Sequence, residues 1–238
     1  MTSATREQEM VEVVVRCEGL VRRYGEGEAE VRALDGVDFE VHPGEFVSLA
    51  GPSGSGKSTL LNMIGALDRP DAGRVVVDGI DLGELDRSGR ADLRLARIGF
   101  VFQSYNLVPV LSARENVEFV MQLQGVPARE RRERALSILA DLGLETLADR
   151  RPGEMSGGQQ QRVAVARAIV TRPVLLLADE PSANLDSATT TELLELFEQL
   201  NARQGTTIVT ATHDPRVMEH ARRRVHLRDG RIERDERA

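Results

Sequence analysis

The sequence predicts an α/β fold with a mainly parallel core sheet and an inserted α-helical region, and three observations support this prediction. Apolar runs of strand length recur along the chain. Segments with helical periodicity alternate with these runs, which is the pattern of a layered α/β core. A stretch from about Ser112 to Ile169 contains no clear strand, so we expect it to be helical.

Seven predicted strands are marked by alternating or continuous apolar residues. They are Val11–Arg16, Val37–Val41, Phe46–Ala50, Val75–Val77, Ile98–Phe102, Val174–Ala178 and Thr207–Ala211. A closing hairpin is expected at Arg224–Leu227 and Arg231–Glu233, because Asp229-Gly230 between them is a favoured two-residue turn.

Helical periodicity marks four further segments, which follow Gly56, cover Ala128–Leu142, follow Ser156 and cover Ala188–Ala202. Within the strand-free stretch, one apolar helix face is formed by Ala135, Ile138, Leu139 and Leu142. We therefore expect a flexible tail at residues 1–10 and one catalytic domain at residues 11–238. Its helical subdomain is expected at about residues 112–170.

Composition narrows the range of partners. The 238-residue chain is 41% hydrophobic, which is enough for a core, and its net charge is −7. A broad nucleic-acid surface needs clustered basic residues, so this charge argues against one. No apolar run approaches the roughly 18 residues of a membrane span, and residues 1–10 lack the apolar centre of a secretory signal. Cys17 is the single cysteine, so we expect a cytosolic protein without an internal disulfide.

One glycine-rich segment matches the phosphate-binding pattern G-x-x-x-x-G-K-[ST] between a predicted strand and a predicted helix. Glycines let successive N–H groups turn toward a phosphate, and a helix N-terminus favours negative charge. Lys57, the single lysine of the chain, is expected to reach the β- and γ-phosphates, and Ser58 to ligate Mg²⁺. The predicted ATP-binding residues here are Gly51, Pro52, Ser53, Gly54, Ser55, Gly56, Lys57, Ser58 and Thr59.

Two adjacent acids end a second apolar strand. Asp179 is expected to hold Mg²⁺, directly or through water, and Glu180 to polarise the water that attacks the nucleotide. Adjacent acids after a strand are a weak signal alone and a strong one together with the phosphate loop. GTP is disfavoured, because the common guanine-reading motif needs a lysine and Lys57 is already used.

The segment Ser156, Gly157, Gly158 and Gln159, preceded by Met155 and followed by Gln160-Gln161-Arg162, resembles the signature motif of ABC ATPases. Ser156 is also a good helix N-cap. The resemblance implies that this segment contacts the γ-phosphate of an ATP held by a second copy of the chain. It covers about Val11 to Glu233.

The resemblance implies further roles for residues at matching positions. Tyr24 would stack on adenine, Gln103 would lie near Mg²⁺ and the membrane partner, Asp186 would belong to the D-loop, and His213 would sense the γ-phosphate. With Glu180, the predicted catalytic residues are therefore His213 and Gln103. The predicted metal-binding residues are Ser58, Gln103 and Asp179. The resemblance also implies an antiparallel β portion on the N-terminal side of the core.

Several segments are similar to the macrolide-export and lipoprotein-release branch, with the cell-division ATPase as a close relative. They are Ile64–Pro70, Ile98–Leu107, Arg114–Val117 and Ala178–Pro181. Two positions depart from the pattern: Met155 replaces the usual Leu, and Ser182-Ala183 replaces Thr-Gly.

This branch implies a dimeric, Mg²⁺-dependent ATPase on the cytoplasmic side of the membrane. It would drive a separate membrane permease and reach the membrane through that permease alone. A cell-division ATPase that drives a signalling permease, and a soluble ABC ATPase that acts outside transport, remain the alternatives. The substrate is expected to be selected by the permease.

Overall fold

The computed structural model describes residues 13–25, 27 and 30–237. They form two sheets, with helices packed on and between them. The predicted tail at residues 1–10 lies outside the described residues.

The larger sheet contains six strands, which are β3 (Phe46–Ala50), β6 (Ile98–Phe102), β7 (Leu175–Asp179), β8 (Thr207–Ala211), β9 (Arg223–Arg228) and β10 (Arg231–Arg237). Their order across the sheet is β10-β9-β3-β8-β7-β6. Every neighbouring pair is parallel except β9 with β10. The mainly parallel sheet and the closing hairpin are thus confirmed.

The smaller sheet is antiparallel and contains β1 (Val15–Tyr24), β2 (Val31–Val41), β4 (Ala72–Val77) and β5 (Ile80–Asp81), in the order β2-β1-β4-β5. The predicted first strand was wrong in extent, because β1 runs on to Tyr24. Register shifts interrupt its pairing with β2 after Cys17, and Gly19 has a φ of +56°. This irregularity breaks the two-residue alternation from which the strand was read.

Seven α-helices occur in the described residues, and they are α1 (Lys57–Ile64), α2 (Arg87–Arg97), α3 (Ala113–Leu123), α4 (Ala128–Asp141), α5 (Gly157–Ile169), α6 (Ser187–Gln204) and α7 (Pro215–His220). The sequence patterns missed β5, α2 and α7, and α3 was expected only as part of the helical stretch as a whole. Helix α2 buries Leu93 alone and is rich in arginine, so it offers few apolar residues from which a helical period can be read. Helix α7 is six residues long and β5 two, which is too short for a periodic signal.

Three apolar clusters hold these layers together. The first joins the two sheets around α1, whose Leu60, Met63 and Ile64 are fully buried. The second lies on the other face of the larger sheet, where Phe197 of α6 meets Phe46 edge to face. The third packs α3, α4 and α5 against one another, and no strand lies between residues 112 and 169, as predicted.

The carboxyl ends of four adjacent parallel strands lie level with one another. Phe102 at the end of β6 pairs with Asp179 of β7, and Asp179 pairs with Ala211 of β8. Ala211 in turn pairs with Leu49 of β3. The residue that follows each strand is therefore delivered to one edge of the sheet, where ligands of open α/β sheets bind.

Candidate nucleotide site

The loop between β3 and α1 approaches two neighbouring strands too closely for side chains at two of its glycines. Gly51 has a φ of +142°, and a Cβ there would collide with the carbonyl oxygen of Leu227. Gly56 has a φ of +105°, and a Cβ there would collide with the carbonyl oxygen of Ala33. Both the backbone conformation and the packing therefore require glycine.

The N-terminus of α1 is open to an anion. Its N-cap is Gly56, which supplies no side-chain hydrogen bond to the first turn. The N–H groups of that turn can therefore be offered to a phosphate, with the helix dipole behind them. Lys57 is 6% exposed, and its ammonium donates to the carbonyl oxygens of Gly51 and Pro52 at 2.8 and 2.9 Å. The loop thus holds its cation against its own backbone carbonyls.

Ser58 and Asp179 meet although they are far apart in sequence. The Ser58 hydroxyl donates to Asp179 Oδ1 at 2.9 Å, which joins the first turn of α1 to the end of β7. Burial raises the pKa of Asp179, and the charge of Glu180 acts in the same direction, against the Ser58 hydrogen bond and the charge of Lys57. A bound cation would favour the ionised carboxylate at this position.

Glu180 and His213 form a pair at the same edge. The Glu180 Oε1 atom lies 2.9 Å from His213 Nδ1, and the N–H of Glu180 donates to the Ala211 carbonyl at 2.8 Å. Glu180 has a φ of +45°, a left-handed conformation that costs a residue with a side chain on the order of 1–3 kcal/mol. The backbone turns away from the direction of β7 at Glu180, and the contact with His213 holds the Glu180 carboxylate in place.

A cavity of about 680 Å³ opens over these groups. Gln103, which follows β6, lines it together with Glu180 and His213. Its lining includes Ser53, Gly54, Ser55, Gly56, Lys57, Ser58 and Thr59 of the predicted ATP-binding segment. Gly51 and Pro52 accept hydrogen bonds from the Lys57 ammonium, and Asp179 accepts one from Ser58, which lines the cavity. These predicted site residues are therefore brought together in one place.

Tyr24 also lines this cavity, beside Val31 and Ala33, which sequence reasoning did not select. It is 40% exposed, and the Arg22 guanidinium lies 4.7 Å from the centre of its ring. The Tyr24 hydroxyl donates to Asp68 at 3.0 Å, so the hydroxyl is anchored while the ring remains at the cavity. Its stacking on adenine stays a prediction.

The signature segment lies elsewhere, outside the lining of this cavity. Ser156 is the N-cap of α5 in a capping box: its hydroxyl accepts from the Gln159 N–H at 3.4 Å, and the Gln159 side chain accepts from the Ser156 N–H at 2.9 Å. A Cβ on Gly158 would collide with Thr189, so this glycine lets α5 approach α6. Asp186 is the N-cap of α6 and accepts from the Thr189 N–H.

Three contacts around the site were missed by sequence reasoning. Asn184 donates through its side chain to the Gln103 carbonyl at 2.9 Å. Arg167 of α5 donates to the carbonyls of Tyr105 and Asn106, both of which have positive φ. The Asn184 bond connects Gln103 to the segment before α6, and the Arg167 bonds connect Tyr105 and Asn106 to the helix that begins at the signature. Asn is enriched in the left-handed conformation, so Asn106 was a weak signal of this turn, whereas Tyr105 gave none.

The donor set fits Mg²⁺ and a nucleotide phosphate. The Ser58 hydroxyl, the Asp179 carboxylate and the Gln103 amide supply hard oxygen atoms, which Mg²⁺ prefers, and its other ligands are commonly phosphates and water. The buried Ser55 hydroxyl has no hydrogen-bond partner among residues 13–25, 27 and 30–237. Together with the open N-terminus of α1, this geometry defines a P-loop nucleotide-binding protein.

Comparison with known proteins identifies the family within this class. Residues 34–183 match the ABC transporter family. The chain is 48% identical over 223 residues to the macrolide export ATP-binding/permease protein MacB of Hyphomonas neptunium, across 94% of this chain and 34% of that protein. It is 43% identical over 224 residues to the lipoprotein-releasing system ATP-binding protein LolD of Chromohalobacter salexigens, across 94% of each.

A solved structure agrees with the fold. It is the dimeric ATP-binding cassette MJ0796, a protein of Methanocaldococcus jannaschii, in a post-hydrolysis state bound to ADP and Pi. This structure is 44% identical, has a TM-score of 0.87, and covers 94% of this chain and 98% of its own.

The chain therefore belongs to the ABC transporter family and is an ATPase of that family. The resemblance drawn from the motifs and the predicted fold class are both confirmed. The chain spans about a third of the length of the MacB relative and nearly the whole of LolD. In the part of the chain that the structure describes, no helix is long and apolar enough to cross a membrane.

Proposed function

We propose that this chain hydrolyses ATP as the nucleotide-binding subunit of a transporter of the macrolide-export or lipoprotein-release type. In this proposal two copies form an ATP-dependent dimer that drives a separate permease from the cytoplasmic side of the membrane. One observation carries the proposal: the phosphate loop, Asp179, Glu180 and His213 share one cavity edge, whereas the signature serine lies outside that cavity. A second chain is then needed to complete the site.

In the chemical step, a water oxygen attacks the γ-phosphorus, the bond to the bridging oxygen breaks, and ADP leaves. Glu180 lies where it can orient this water and accept its proton. Lys57 and the N–H groups of α1 stabilise the charge that develops on the phosphate oxygens. Mg²⁺, held by Ser58, Asp179 and Gln103, supplies further charge neutralisation when it is bound.

His213 and Gln103 have positioning and sensing roles in this proposal. His213 holds the Glu180 carboxylate through its Nδ1 atom, and in the imidazolium form, which donates from both ring nitrogens, Nε2 would donate to a γ-phosphate oxygen. Gln103 reports nucleotide occupancy through its own bond to Asn184 and through the residues that follow it, because Tyr105 and Asn106 are bonded to Arg167. Loss of the γ-phosphate would then change both the dimer interface and the contacts of this segment.

The names of the relatives support the transport role. MacB is named as an ATP-binding and permease protein together, and LolD as the ATP-binding protein of a releasing system. Nucleotide and transport function are therefore paired in relatives that this chain matches across 94% of its length. The dimeric state of the MJ0796 cassette with ADP and Pi supports the two-chain site.

The chemical proposal is tested with Glu180→Gln. This variant should bind ATP with near wild-type affinity, hydrolyse it about 10²–10⁴-fold more slowly, and accumulate as a dimer. Phosphate release measures the first effect and sedimentation with ATP measures the second. Wild-type turnover in this variant would remove Glu180 from the mechanism.

The two-chain site is tested by mixing two inactive variants, Lys57→Ala and Ser156→Arg. In a mixed dimer, one site combines both defects and the other site is intact. Random mixing should therefore restore roughly a quarter of the wild-type number of sites in a symmetric dimer. A mixture as inactive as its components would contradict a site shared between chains.

The partner is tested by purifying tagged Glu180→Gln from detergent-solubilised native membranes with ATP. Co-purification of an integral membrane protein, with loss of that protein when ATP and Mg²⁺ are omitted, is the expected result. Recovery of soluble or ribosomal partners alone would contradict the permease and leave the ATPase chemistry in place.

A further inference from the structure

The turn between β9 and β10 lies against the phosphate loop. Gly230, the second residue of this turn, donates its backbone N–H to the Ser55 carbonyl at 3.2 Å. The Leu227 carbonyl, near the end of β9, lies so close to Gly51 that no Cβ would fit between them. In the described part of the chain, neither Gly230 nor Leu227 lines the nucleotide cavity. The hairpin therefore supports the phosphate loop at two points from outside the cavity.

The same turn also holds strand β2. The Gly230 carbonyl accepts from the Asp35 N–H at 2.9 Å, so the two backbone groups of one residue join the phosphate loop to β2. The Arg231 guanidinium donates through Nε and Nη2 to Asp35 Oδ2 at 3.1 and 2.7 Å. The hydrogen bond from Arg231 holds the pKa of the Asp35 carboxyl below its ordinary value. Because β2 belongs to the smaller sheet and β9 and β10 to the larger one, the two sheets are joined at this turn.

Strand β2 is irregular at this place. Leu34 and Arg32 pair with consecutive residues of β1, so Ala33 between them has no paired residue there. An extra residue of this kind disrupts the ladder locally and bends the strand that contains it. Ala33 also lines the nucleotide cavity beside the phosphate loop. The part of β2 that faces the nucleotide is therefore weakly held by β1 and is held from its other side by the hairpin turn.

A second hairpin shows the same turn without these contacts. Asp78-Gly79 joins β4 to β5 and is the same dipeptide as Asp229-Gly230. The φ values are +50° and +76° in the first turn and +48° and +75° in the second. A Cβ on Gly79 would have no atom within 4 Å, whereas a Cβ on Gly230 would lie 3.0 Å from two carbonyl oxygens of β2. Turn geometry alone accounts for glycine at both positions, but only the second turn is packed against the site.

We propose that the Asp229-Gly230 turn fixes the phosphate loop relative to β2, with Gly230 as the positioning residue, and thereby controls the affinity for ATP. In the proposed site the phosphates lie on the loop after β3, and the base lies beside Tyr24 and Ala33 of the smaller sheet. Binding is strongest when both surfaces have the correct spacing before the nucleotide arrives. The inference rests on the proposed nucleotide site and adds to it a residue from outside the cavity.

The turn should act on binding rather than on the chemical step. Among the described residues, no hydrogen bond or ion pair joins residues 228–231 to Asp179, Glu180 or His213. These three groups are delivered by β7 and β8, on the other side of β3 from the hairpin. Loosening the turn should therefore raise the Kd and the KM for ATP and leave kcat at saturating ATP nearly unchanged, which is the signature of lost uniform binding.

Gly230→Ala tests the proposal against Gly79→Ala as the matched control. Both substitutions place a side chain at the same left-handed φ, and only the first adds a Cβ close to β2. In the Glu180→Gln chain, calorimetric titration with Mg-ATP should give a Kd about tenfold weaker for Gly230→Ala, because the bridge between loop and strand is disturbed. The control should bind as the parent chain does. In the active chain, Gly230→Ala should raise KM and keep kcat within about twofold. Melting temperatures should show that both variants fold.

Gly230→Asn keeps the proposal testable if the alanine variant folds poorly. Asn adopts the left-handed conformation more readily than alanine does, but it still has a Cβ. This variant should therefore regain stability without regaining affinity for ATP. Hydrogen exchange of the nucleotide-free chain adds a local measurement. The peptide that covers residues 51–59 should exchange faster in the Gly230 variants than in Gly79→Ala, which a general loss of stability would not produce.

The outcomes separate this inference from the site on which it rests. If the unsubstituted chain binds no ATP, the nucleotide site and the inference both fail. If the Gly230 variants fold and bind ATP as Gly79→Ala does, the inference alone fails and Gly230 serves only its turn. If kcat falls while KM is unchanged, the turn acts on the chemical step and the inference is overturned. Weaker binding in the Gly230 variants alone, with faster exchange at residues 51–59, is the expected result.

Discussion

The N-termini of α1 and α5 both lie in segments that combine glycine and serine, yet the first-turn N–H groups of the two helices are used differently. Helix α1 begins after Gly56 with no side-chain cap, and its first turn faces the cavity beside Lys57. Helix α5 begins after Ser156, whose hydroxyl accepts from the Gln159 N–H in a capping box. The first-turn N–H groups of α1 remain available to a ligand, whereas in α5 the Ser156 hydroxyl already accepts from one of them.

This difference has a mechanistic consequence under the proposed function. The phosphate loop can bind a nucleotide in an isolated chain. The signature serine would have to exchange a hydrogen bond to its own helix for one to a phosphate held by the other chain. The phosphate loop should therefore control nucleotide binding, and the signature serine should control formation of the ATP-dependent dimer.

The largest effect is expected at the open helix start. Lys57→Ala should weaken ATP binding and reduce hydrolysis by at least about 10²-fold, because a buried charge-stabilising donor is lost. Lys57→Arg is the sharper control, since a planar guanidinium cannot replace a compact ammonium in this loop. Nucleotide titration and phosphate release measure both variants. Full activity of Lys57→Arg would show that charge alone is sufficient there.

The next effect is expected at Gly158, behind the capped helix start. Gly158→Ala would place a methyl group against Thr189, whose hydroxyl is bonded to Asp186 at 3.2 Å. Overpacking of this kind destabilises by about 1–3 kcal/mol. Urea unfolding should show this loss, and Gly153→Ala is the control because nothing lies near its Cβ position. Equal stability of the two variants would contradict the close approach of α5 and α6.

Ser156→Ala separates capping from ligand binding. Loss of the cap should cost the isolated chain about 1 kcal/mol of unfolding free energy. The ATP-dependent dimer of the Glu180→Gln chain should weaken by more than this, because the serine would also contact the nucleotide of the other chain. Sedimentation with ATP measures the strength of the dimer, and thermal unfolding without ATP measures the stability of the isolated chain. If the dimer weakens by no more than the unfolding free energy that the isolated chain loses, Ser156 acts only as a helix cap.

The smallest effect is expected at Asp214, next to the open site. The Arg216 hydrogen bond holds the pKa of Asp214 below its ordinary value of 3.8, and Ser182 adds a further hydrogen bond at 3.2 Å. Because the folded-state pKa is depressed, this contribution to stability is present above pH 3.8 and is lost as the pH falls through the folded-state value.

Asp214→Asn should therefore be less stable than the wild-type chain at pH 7, and the difference should shrink on acidification. Thermal unfolding from pH 7 to pH 3 measures it. Asp141→Asn on the exposed end of α4 is the control, and it should show no such convergence. A difference that stayed constant with pH would assign the effect to packing rather than to charge.

Regions of strong local pattern were predicted well. β3, β6 and β8 have the predicted bounds, because each is a continuous apolar run with clear ends. The predicted strand Val174–Ala178 is displaced by one residue, and this places Asp179 within β7. Helix α2 was missed because its positions are mostly arginine and polar.

The sequence by itself determined the phosphate loop and the pairing of an apolar strand with two acids, because these depend on neighbouring residues and on strand and helix geometry. Tertiary structure decided which groups meet. The Ser58–Asp179 bond spans 121 positions and the Glu180–His213 pair spans 33. Both depend on the order and register of parallel strands. Periodicity in a sequence describes each element alone, whereas its neighbours are selected by packing across the whole fold.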